Sequence, residues 1–346
     1  MSGVLAVRQD SLGDVLLAGP ALRALAAGAE GPLTLLCGPR GEAAARLLPD
    51  VDEVLVHLAP WIDPAPPPVR RRACERLVEA VASRAPEAAV VFTSFHQSPL
   101  PTALLLRFAG VPRIAAIAVD YPGSLLDVRH RVDDDVHEVE RAVSLAAAAG
   151  YALPPGDDAR LRVTLGTAPP RLPDGQYVVV HPGASVSARA WEPDRWAALV
   201  NLLERRGRRV VVTGAPRERP LTRRVAAAGE LALDLGGRCD FAGLAAVLAG
   251  AEAVAVANTG PAHLAAAVGA PVASLFAPTV PAARWRPWGV PHELLGRDVP
   301  CAGCRARECP VPGHPCLAPI EPLEVAEAID RLALDRVPSR PVEAVA

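Results

Sequence analysis

The stretch "VLAVRQDSLGDVLLAGPALRALAAG", residues 4–28, predicts a buried strand, a short turn and a helix. The turn, Ser11-Leu12-Gly13-Asp14, places a carboxylate where the helix begins. Because ligands of open α/β sheets bind beyond the carboxyl ends of the strands, this turn is a candidate site. The alternative is structural, since an acidic residue in a first helical turn stabilises the helix dipole in many proteins without any catalytic role.

Length and composition predict a globular protein of two domains. The chain has 346 residues, of which 51% are apolar and 21% are charged, values typical of packed domains. The 36 basic and 38 acidic residues nearly cancel. A polyanionic partner such as nucleic acid is therefore not expected, because it would require an excess of basic residues.

Two apolar segments bear on the cellular location. Only residues 4–7 form an apolar run before Arg8 and Asp10, too short for a secretory signal, so a cytoplasmic protein is expected. Residues 264–283 form an uncharged run long enough to span a membrane. Because this run contains one glycine and three prolines that break a helix, it predicts a buried helix, a turn and a strand instead.

Short β-branched runs alternate with Ala- and Leu-rich stretches of helical period along the chain, which predicts an α/β fold of repeated βα units. The first helix is predicted at residues 16–27. The division expected is a first domain at 1–165, a proline-rich linker at 166–175, a second domain at 176–320, a helix at 321–334 and a flexible tail at 335–346. Each domain is predicted to be a Rossmann-like, doubly wound sheet, with a central cleft between the two.

Three further strand ends stand out as candidate ligand sites: "HPGASVSAR", "TGAPRER" and "NTGPAH". The free amides at a helix start bind phosphate. At this site Thr259 can add a hydroxyl donor, and Arg189 can add a planar, charged guanidinium that binds phosphate oxygens. His263, one turn into the same helix, is a candidate for the same ligand. The structural alternatives are a helix cap at Asn258 or Thr259, a surface salt bridge at Arg189 and core packing at His263.

Together the segments "SLGDVLLAGPALRAL", "HPGASVSARAWEPDRWAAL", "VVVTGAPRER" and "NTGPAHLAAAVGAPVASLFAPTVPAARWRPWG" resemble the heptosyltransferase family of bacterial glycosyltransferases, family 9. Each motif is weak alone, but their order and spacing follow the family over nearly the whole chain. The resemblance implies a GT-B architecture, in which the N-terminal domain receives the acceptor and the C-terminal domain holds the nucleotide sugar. It also implies that the final helix packs back towards the first domain.

The resemblance further implies inversion at the anomeric carbon without a metal ion, with Asp14 as the general base. An acceptor hydroxyl that attacks this carbon must lose a proton, and late proton transfer allows a carboxylate at a helix start to accept it. Residues expected at the donor diphosphate are Ser11, Gly13, Arg189, Thr259 and Gly260. Residues expected at the nucleoside or sugar are Ser185, Glu218, Cys239, Asn258 and His263.

Two positions depart from the family pattern. The family commonly has Lys where Arg189 stands, and both side chains carry the charge that stabilises a departing diphosphate. It commonly has Asp where Asn258 stands, which removes a charge near the donor sugar. The sugar itself is therefore left open by the sequence.

Cys301, Cys304, Cys309 and Cys316 form a C-x2-C-x4-C-x6-C pattern in a Pro- and Gly-rich loop. In a cytoplasmic protein this spacing favours a structural zinc site, with His314 as a fifth candidate. Free thiols or an adventitious disulfide are the alternatives. No cofactor is expected to be required for catalysis.

The favoured function is transfer of heptose or a similar sugar from a nucleotide sugar, with ADP-heptose preferred, to a hydroxyl of a glycan or glycolipid. Two alternatives stay open: a nucleotide-sugar 2-epimerase of similar architecture, and a nonenzymatic nucleotide-binding relative. A monomer is expected, in the cytoplasm or at the inner face of the cytoplasmic membrane, with peripheral membrane contact as an open alternative and no nucleic-acid partner.

Overall fold

The computed structural model describes residues 3–167, 169 and 172–334. The chain divides into two compact units, Met1–Thr164 and Leu165–Ala346. The sequence placed the first boundary at residue 165 and the linker at 166–175. Three residues of that linker (168, 170 and 171) and the whole predicted tail, 335–346, lie outside the described residues.

The first unit is built on a six-stranded parallel sheet with strand order β3-β2-β1-β4-β5-β6. Its strands are β1 (Val4–Arg8), β2 (Leu33–Cys37), β3 (Glu53–Val56), β4 (Ala88–Val91), β5 (Arg113–Ile117) and β6 (Val128–His130). Its helices are α1 (Leu12–Leu17), α2 (Gly19–Gly28), α3 (Glu42–Ala45), α4 (Arg71–Ala82), α5 (Leu100–Phe108) and α6 (Glu138–Ala148).

Every residue of β1, β2 and β4 is buried. Helices therefore cover both faces of the sheet, which explains why these strands are almost uninterrupted apolar runs. The exception is Arg8, a charged residue at the buried end of β1. Its position matters for the site described below.

The helix predicted at residues 16–27 is two helices. The first, α1, begins at Leu12 and is followed after Ala18 by α2, which has Pro20 in its first turn. Because proline lacks an amide hydrogen, it is tolerated at the start of a helix and disfavoured in its interior. The earlier start places Asp14 inside the first turn of α1.

The second unit repeats the design with strand order β12-β11-β10-β7-β8-β9, again parallel. Its strands are β7 (Val178–His181), β8 (Val210–Val212), β9 (Leu233–Asp234), β10 (Ala253–Ala257), β11 (Val272–Leu275) and β12 (His292–Leu295). Its helices are α7 (Pro193–Arg205), α8 (Arg219–Ala226), α9 (Phe241–Gly250), α10 (Gly260–Ala267), α11 (Ala282–Trp285) and α12 (Pro322–Leu334).

The uncharged run at 264–283 falls in α10, β11 and the start of α11, which confirms the predicted helix, turn and strand. Across the described residues, no helix combines the length and the apolar content that a membrane crossing would require.

The final helix, α12, packs on α7, β10, β11 and β12. Its buried residues, which include Val325 and Ile329, belong to the core of the second unit together with Trp196 and Leu199. The expected packing of this helix towards the first domain stays a prediction.

Each sheet reverses its strand order at one place, where chain connections leave in opposite directions. In the first unit this point lies between β1 and β4, and in the second between β7 and β10. Such points open a crevice at the carboxyl ends of the two strands, where ligands of doubly wound folds bind. Both candidate sites lie at these points.

Candidate active site

In the first unit, the reversal point is occupied by the guanidinium of Arg8. Its Nη2 donates hydrogen bonds to Asp14 Oδ1 at 3.3 Å, Ser94 Oγ at 3.1 Å and Glu138 Oε2 at 3.2 Å. Its Nε lies 3.1 Å from Asp10 Oδ2. One buried cation is therefore shared among three carboxylates, which come from the turn after β1, from α1 and from α6.

Asp14 is held at both oxygens. Its Oδ2 accepts hydrogen bonds from the Ser11 hydroxyl at 2.6 Å and the Ser11 amide at 3.3 Å, while Oδ1 faces Arg8. The side chain remains 18% exposed, compared with 2% for Glu138. Asp14 is therefore the carboxylate of this cluster that a solvent-borne substrate can reach.

Asp10 lies deeper and is held by the loop after β4. The Gln97 side-chain amide donates to its Oδ1, and the Ser94 hydroxyl lies 3.4 Å from Oδ2. Burial raises the pKa of Asp10 to about 6, because it outweighs the lowering effect of Arg8. Asp10 therefore binds a proton more readily than an ordinary aspartate.

Glu138 is the first residue of α6, next to its cap. The cap is His137, whose Nδ1 accepts the Val139 amide hydrogen at 3.2 Å. Burial raises the pKa of Glu138, while Arg8 opposes this shift. The sequence analysis missed Arg8, Asp10 and Glu138, although a charged residue that closes an all-apolar strand was a visible signal.

The first unit also has a groove of about 870 Å³ along β3 and α4. Its lining combines apolar residues such as Leu58 and Leu77 with the basic side chains Arg70 and Arg76. The groove is large enough for several sugar rings, and its arginines suit an anionic ligand.

In the second unit, Arg189 spans the ends of two neighbouring strands. It leaves a short helical turn, Ser187–Arg189, and its Nε donates to Thr279 Oγ1 at 3.1 Å, beyond β11. Its Nη1 donates to the Asn258 carbonyl at 3.3 Å, beyond β10. The guanidinium is thus fixed beside the start of α10.

The start of α10 has the features of an anion site. Thr259 occupies the N-cap position, yet its side chain does not cap the helix, so the capping alternative fails for Thr259. The Asn258 amide donates to the Ala277 carbonyl at 3.1 Å, while its buried Oδ1 accepts no hydrogen bond from the described residues. Gly260 begins the helix with its amide directed towards the N-terminal end.

Glu218 lies against the turn that follows β7. The Glu218 carboxylate occupies the space that a Cβ on Gly183 would need, so a side chain at position 183 would have to displace Glu218. Oε2 of Glu218 accepts the Ala215 amide hydrogen at 2.8 Å.

His181 lies beside this turn, and its ring forms a hydrogen bond with the Thr213 hydroxyl at 2.9 Å. Burial lowers the pKa of His181 to about 4, so the ring is neutral at pH 7.

The remaining predicted donor residues differ in accessibility. Cys239 is half-buried just before α9, Ser185 is exposed, and His263 is buried within α10.

Along the sheet edge, the order from β10 to β9 is Arg189 with Asn258, then Glu218, then Cys239. Three strand spacings of roughly 4.8 Å give about 14 Å, a span suited to an extended nucleoside diphosphate. Ser11, Gly13 and Asp14 lie in the first unit and the other predicted residues in the second.

The four clustered cysteines line one cavity of about 20 Å³, together with His314. This volume holds about one water or ion. Nevertheless, within the described ranges no three His, Cys, Asp or Glu side chains form a group that could bind a metal ion. The structure therefore does not contain the predicted zinc site as a formed ligand set.

The cysteine loop contacts both walls of the Arg189 site. The Arg307 carbonyl accepts the Ala188 amide at 3.1 Å and the Ser187 hydroxyl at 3.2 Å. On the other side, the Arg305 amide donates to the Thr279 carbonyl at 2.9 Å. The loop is thus hydrogen-bonded to both segments that hold Arg189, the turn at Ser187–Arg189 and the segment at Thr279.

Comparison with known proteins gives a consistent result. The family model of glycosyltransferase family 9 (heptosyltransferase) matches residues 95–314, a segment that begins after the Ser11 to Asp14 turn. Lipopolysaccharide heptosyltransferase 1 of Pseudomonas aeruginosa is 36% identical over 222 residues, which are 62% of this chain and 61% of that protein. The match thus spans about six tenths of the curated relative's length.

Two solved structures share the fold. A family 9 glycosyltransferase from Veillonella parvula is 16% identical, with a TM-score of 0.76 and coverage of 97% of this chain and 98% of that one. The E. coli heptosyltransferase WaaC, solved with ADP, is 22% identical, with a TM-score of 0.68 and coverage of 95% and 99%. These matches confirm the predicted GT-B fold class of two Rossmann-like sheets.

Proposed function

The chain belongs to glycosyltransferase family 9, the heptosyltransferases, and on this basis we propose that it transfers heptose from ADP-heptose to a hydroxyl of a lipopolysaccharide-type glycolipid. The observation that carries the proposal is Arg189, which is fixed by Thr279 and Asn258 at the start of α10. A guanidinium beside free helix amides stabilises a diphosphate, and above all one that departs with increasing negative charge.

The identity of the nucleotide is proposed from the relatives. WaaC was solved with ADP and also with ADP-2-deoxy-2-fluoro heptose. We propose that Glu218 accepts hydrogen bonds from the ribose hydroxyls and that the loop at Cys239 flanks the base. The buried Asn258 Oδ1 is a free acceptor for a hydroxyl of the donor sugar.

We propose Asp14 as the general base of an inverting displacement. The acceptor oxygen attacks the anomeric carbon on the face opposite the diphosphate, so one C–O bond forms as the bond to phosphate breaks. The acceptor proton passes to Asp14, and ADP leaves with the bonding electron pair. Arg189 and the amides of α10 stabilise that charge, so the residues described supply both halves of the reaction.

The acceptor is proposed to bind the first unit. The groove along β3 and α4 offers an apolar floor with Arg70 and Arg76 at its edge, a combination that suits an anionic glycolipid. Because such an acceptor is anchored in lipid, the enzyme is proposed to work at the inner face of the cytoplasmic membrane. It is proposed to act as a monomer.

The test of this proposal is calorimetric binding of ADP, GDP, UDP and dTDP to the wild-type protein without added metal. We expect ADP to bind at least about tenfold more tightly than the others. Preference for UDP would favour the epimerase alternative, and no binding of any nucleotide would contradict the donor site. Tight ADP binding without transfer would favour the nonenzymatic alternative.

We also propose that the four-cysteine loop closes on a structural metal ion, zinc in the first place. All four cysteines are among the residues that line one cavity of ion size, and four thiolates suit zinc or iron. Metal analysis of protein purified without chelator is expected to give about one equivalent. Because the loop braces Arg189 from both sides, metal removal should weaken ADP binding about tenfold. Less than about a tenth of an equivalent of zinc or iron would contradict the proposal.

A further inference from the structure

Glu138 is a buried carboxylate with only one of its two oxygens hydrogen-bonded. Its side chain is 2% exposed, and its Oε1 accepts no hydrogen bond from the described residues. Burial of a carboxylate that is only partly satisfied costs stability. Such a cost is typical of residues that serve a site, and the partner of Glu138 is Arg8, which also contacts Asp14.

The pair of Arg23 and Asp157 serves as a reference for a closed arginine–carboxylate pair. Arg23 forms two parallel hydrogen bonds with Asp157, Nε to Oδ2 at 2.7 Å and Nη2 to Oδ1 at 2.8 Å. Hydrogen bonding to Arg23 is the largest of the causes that lower the pKa of Asp157 to about 2, and the Ala159 amide and the charge of Arg162 add to it. A carboxylate in such a closed pair is too weak a base to accept a proton from a hydroxyl at useful rates.

Arg8 does not form a closed pair with Asp14. Its Nη2 carries two hydrogens and faces three acceptors, on Asp14, Ser94 and Glu138, at 3.1 to 3.3 Å. All three contacts are longer than those of Arg23. The Arg8 guanidinium is thus shared among these acceptors and is not positioned for Asp14 alone. Glu138 attracts it from the side of α6.

We propose that Glu138 is a positioning residue of the transferase: by holding Arg8, it prevents a closed Arg8–Asp14 pair and keeps Asp14 basic enough to accept the acceptor proton. This inference rests on the proposed function, in which Asp14 is the base. Because Arg8 and Glu138 are both almost fully buried, solvent and salt screen their interaction little.

Besides Arg8, the charges that act on Glu138 among the described residues include Asp14 and Arg141. Arg141, on the same helix, lies 4.0 Å from Oε1, and Asp10 contacts the Nε side of Arg8. On α3, which packs against α1, Glu42 and Arg46 pair with each other at the surface. The competition for Arg8 is therefore among Asp10, Asp14 and Glu138.

The test uses Glu138→Gln, which keeps the shape and removes the charge. Protein labelled with ¹³C at the aspartate carboxyls is titrated by NMR, and the Asp14 signal is assigned by its loss in Asp14→Asn. We expect the Asp14 midpoint to fall by about one pH unit. The acid limb of kcat should move down with it, and the plateau of kcat should fall about threefold, without a change in donor KM.

The matched control is Glu140→Gln in the same turn of α6. Glu140 is exposed and contacts the His137 amide, so the same charge is lost without contact to Arg8, and no shift is expected. Should Glu138→Gln fold poorly, Glu138→Asp, which keeps the charge but withdraws it from Arg8, is expected to give a smaller shift of the same sign.

An Asp14 midpoint that stays in place or rises when Glu138 is changed would overturn the inference, as would a loss of thermal stability alone. The NMR titration needs no turnover. Failure of the proposed function, seen as full activity in Asp14→Asn or no activity in the wild type, is therefore distinguishable from failure of the role assigned to Glu138.

Discussion

Asp14→Asn is expected to lower kcat about 1,000-fold while donor binding changes less than about twofold, because a positioned general base contributes 10²- to 10⁴-fold to rate. The amide keeps the size of the side chain and its contact with Ser11, but it cannot take up the acceptor proton. The measurement is the rate of ADP release from ADP-heptose in the presence of acceptor, together with calorimetric binding of ADP to the same protein.

Glu42→Gln is the matched control for this variant. Glu42 lies in the first turn of α3, as Asp14 does in α1, so both changes remove a favourable charge from a helix start. A purely structural Asp14 would make the two variants alike: slightly less stable and fully active. Full turnover of Asp14→Asn would remove the assignment of this residue as the base.

Arg189→Ala is expected to weaken ADP binding about 100-fold, because charge-assisted hydrogen bonds to phosphate contribute about 1.5 to 3 kcal/mol. Since the effect should grow as charge develops on the leaving diphosphate, kcat should fall as well as affinity. Calorimetry with ADP and initial rates over a range of ADP-heptose concentrations measure the two effects separately.

Two further variants calibrate this result. Arg189→Lys keeps the charge and should retain most of the binding, although it loses the fork that reaches both Thr279 and Asn258. Arg224→Ala removes an exposed arginine that pairs with Asp194 and should leave ADP binding unchanged. An equal loss in Arg189→Ala and Arg224→Ala would indicate that net charge, and not the site, controls binding.

The central strands and most helices of this fold are predictable from sequence, because their residues are buried on both faces and form continuous apolar runs. The strands whose sequences lack a continuous apolar run are β6, β9 and β12, all at sheet edges. They are two to four residues long and carry polar residues such as Arg129, Asp234 and Glu293. An edge strand is half solvated, so its sequence lacks an apolar run.

The features of the candidate site likewise differ in how far the local sequence predicts them. The positions of Asp14, Arg189 and Asn258 beyond strand ends were predictable, because strand ends show in the sequence. The contact of Arg8 with Glu138 was not, since the two residues are 130 positions apart. No local pattern reports such a contact, which arises only because the fold places the start of α6 beside the end of β1. Likewise, the spacing of the cysteines did not determine whether their side chains form a ligand set.

The most direct test of the account is to mix the wild-type protein with ADP-heptose and a heptose-deficient lipopolysaccharide core and to follow the new linkage by ¹H NMR. The proposed inverting transfer predicts one added heptose per acceptor, an anomeric configuration opposite to that of the donor, and one ADP released per transfer. Retention of the donor configuration, or an acceptor left unchanged by protein that binds ADP, would contradict it.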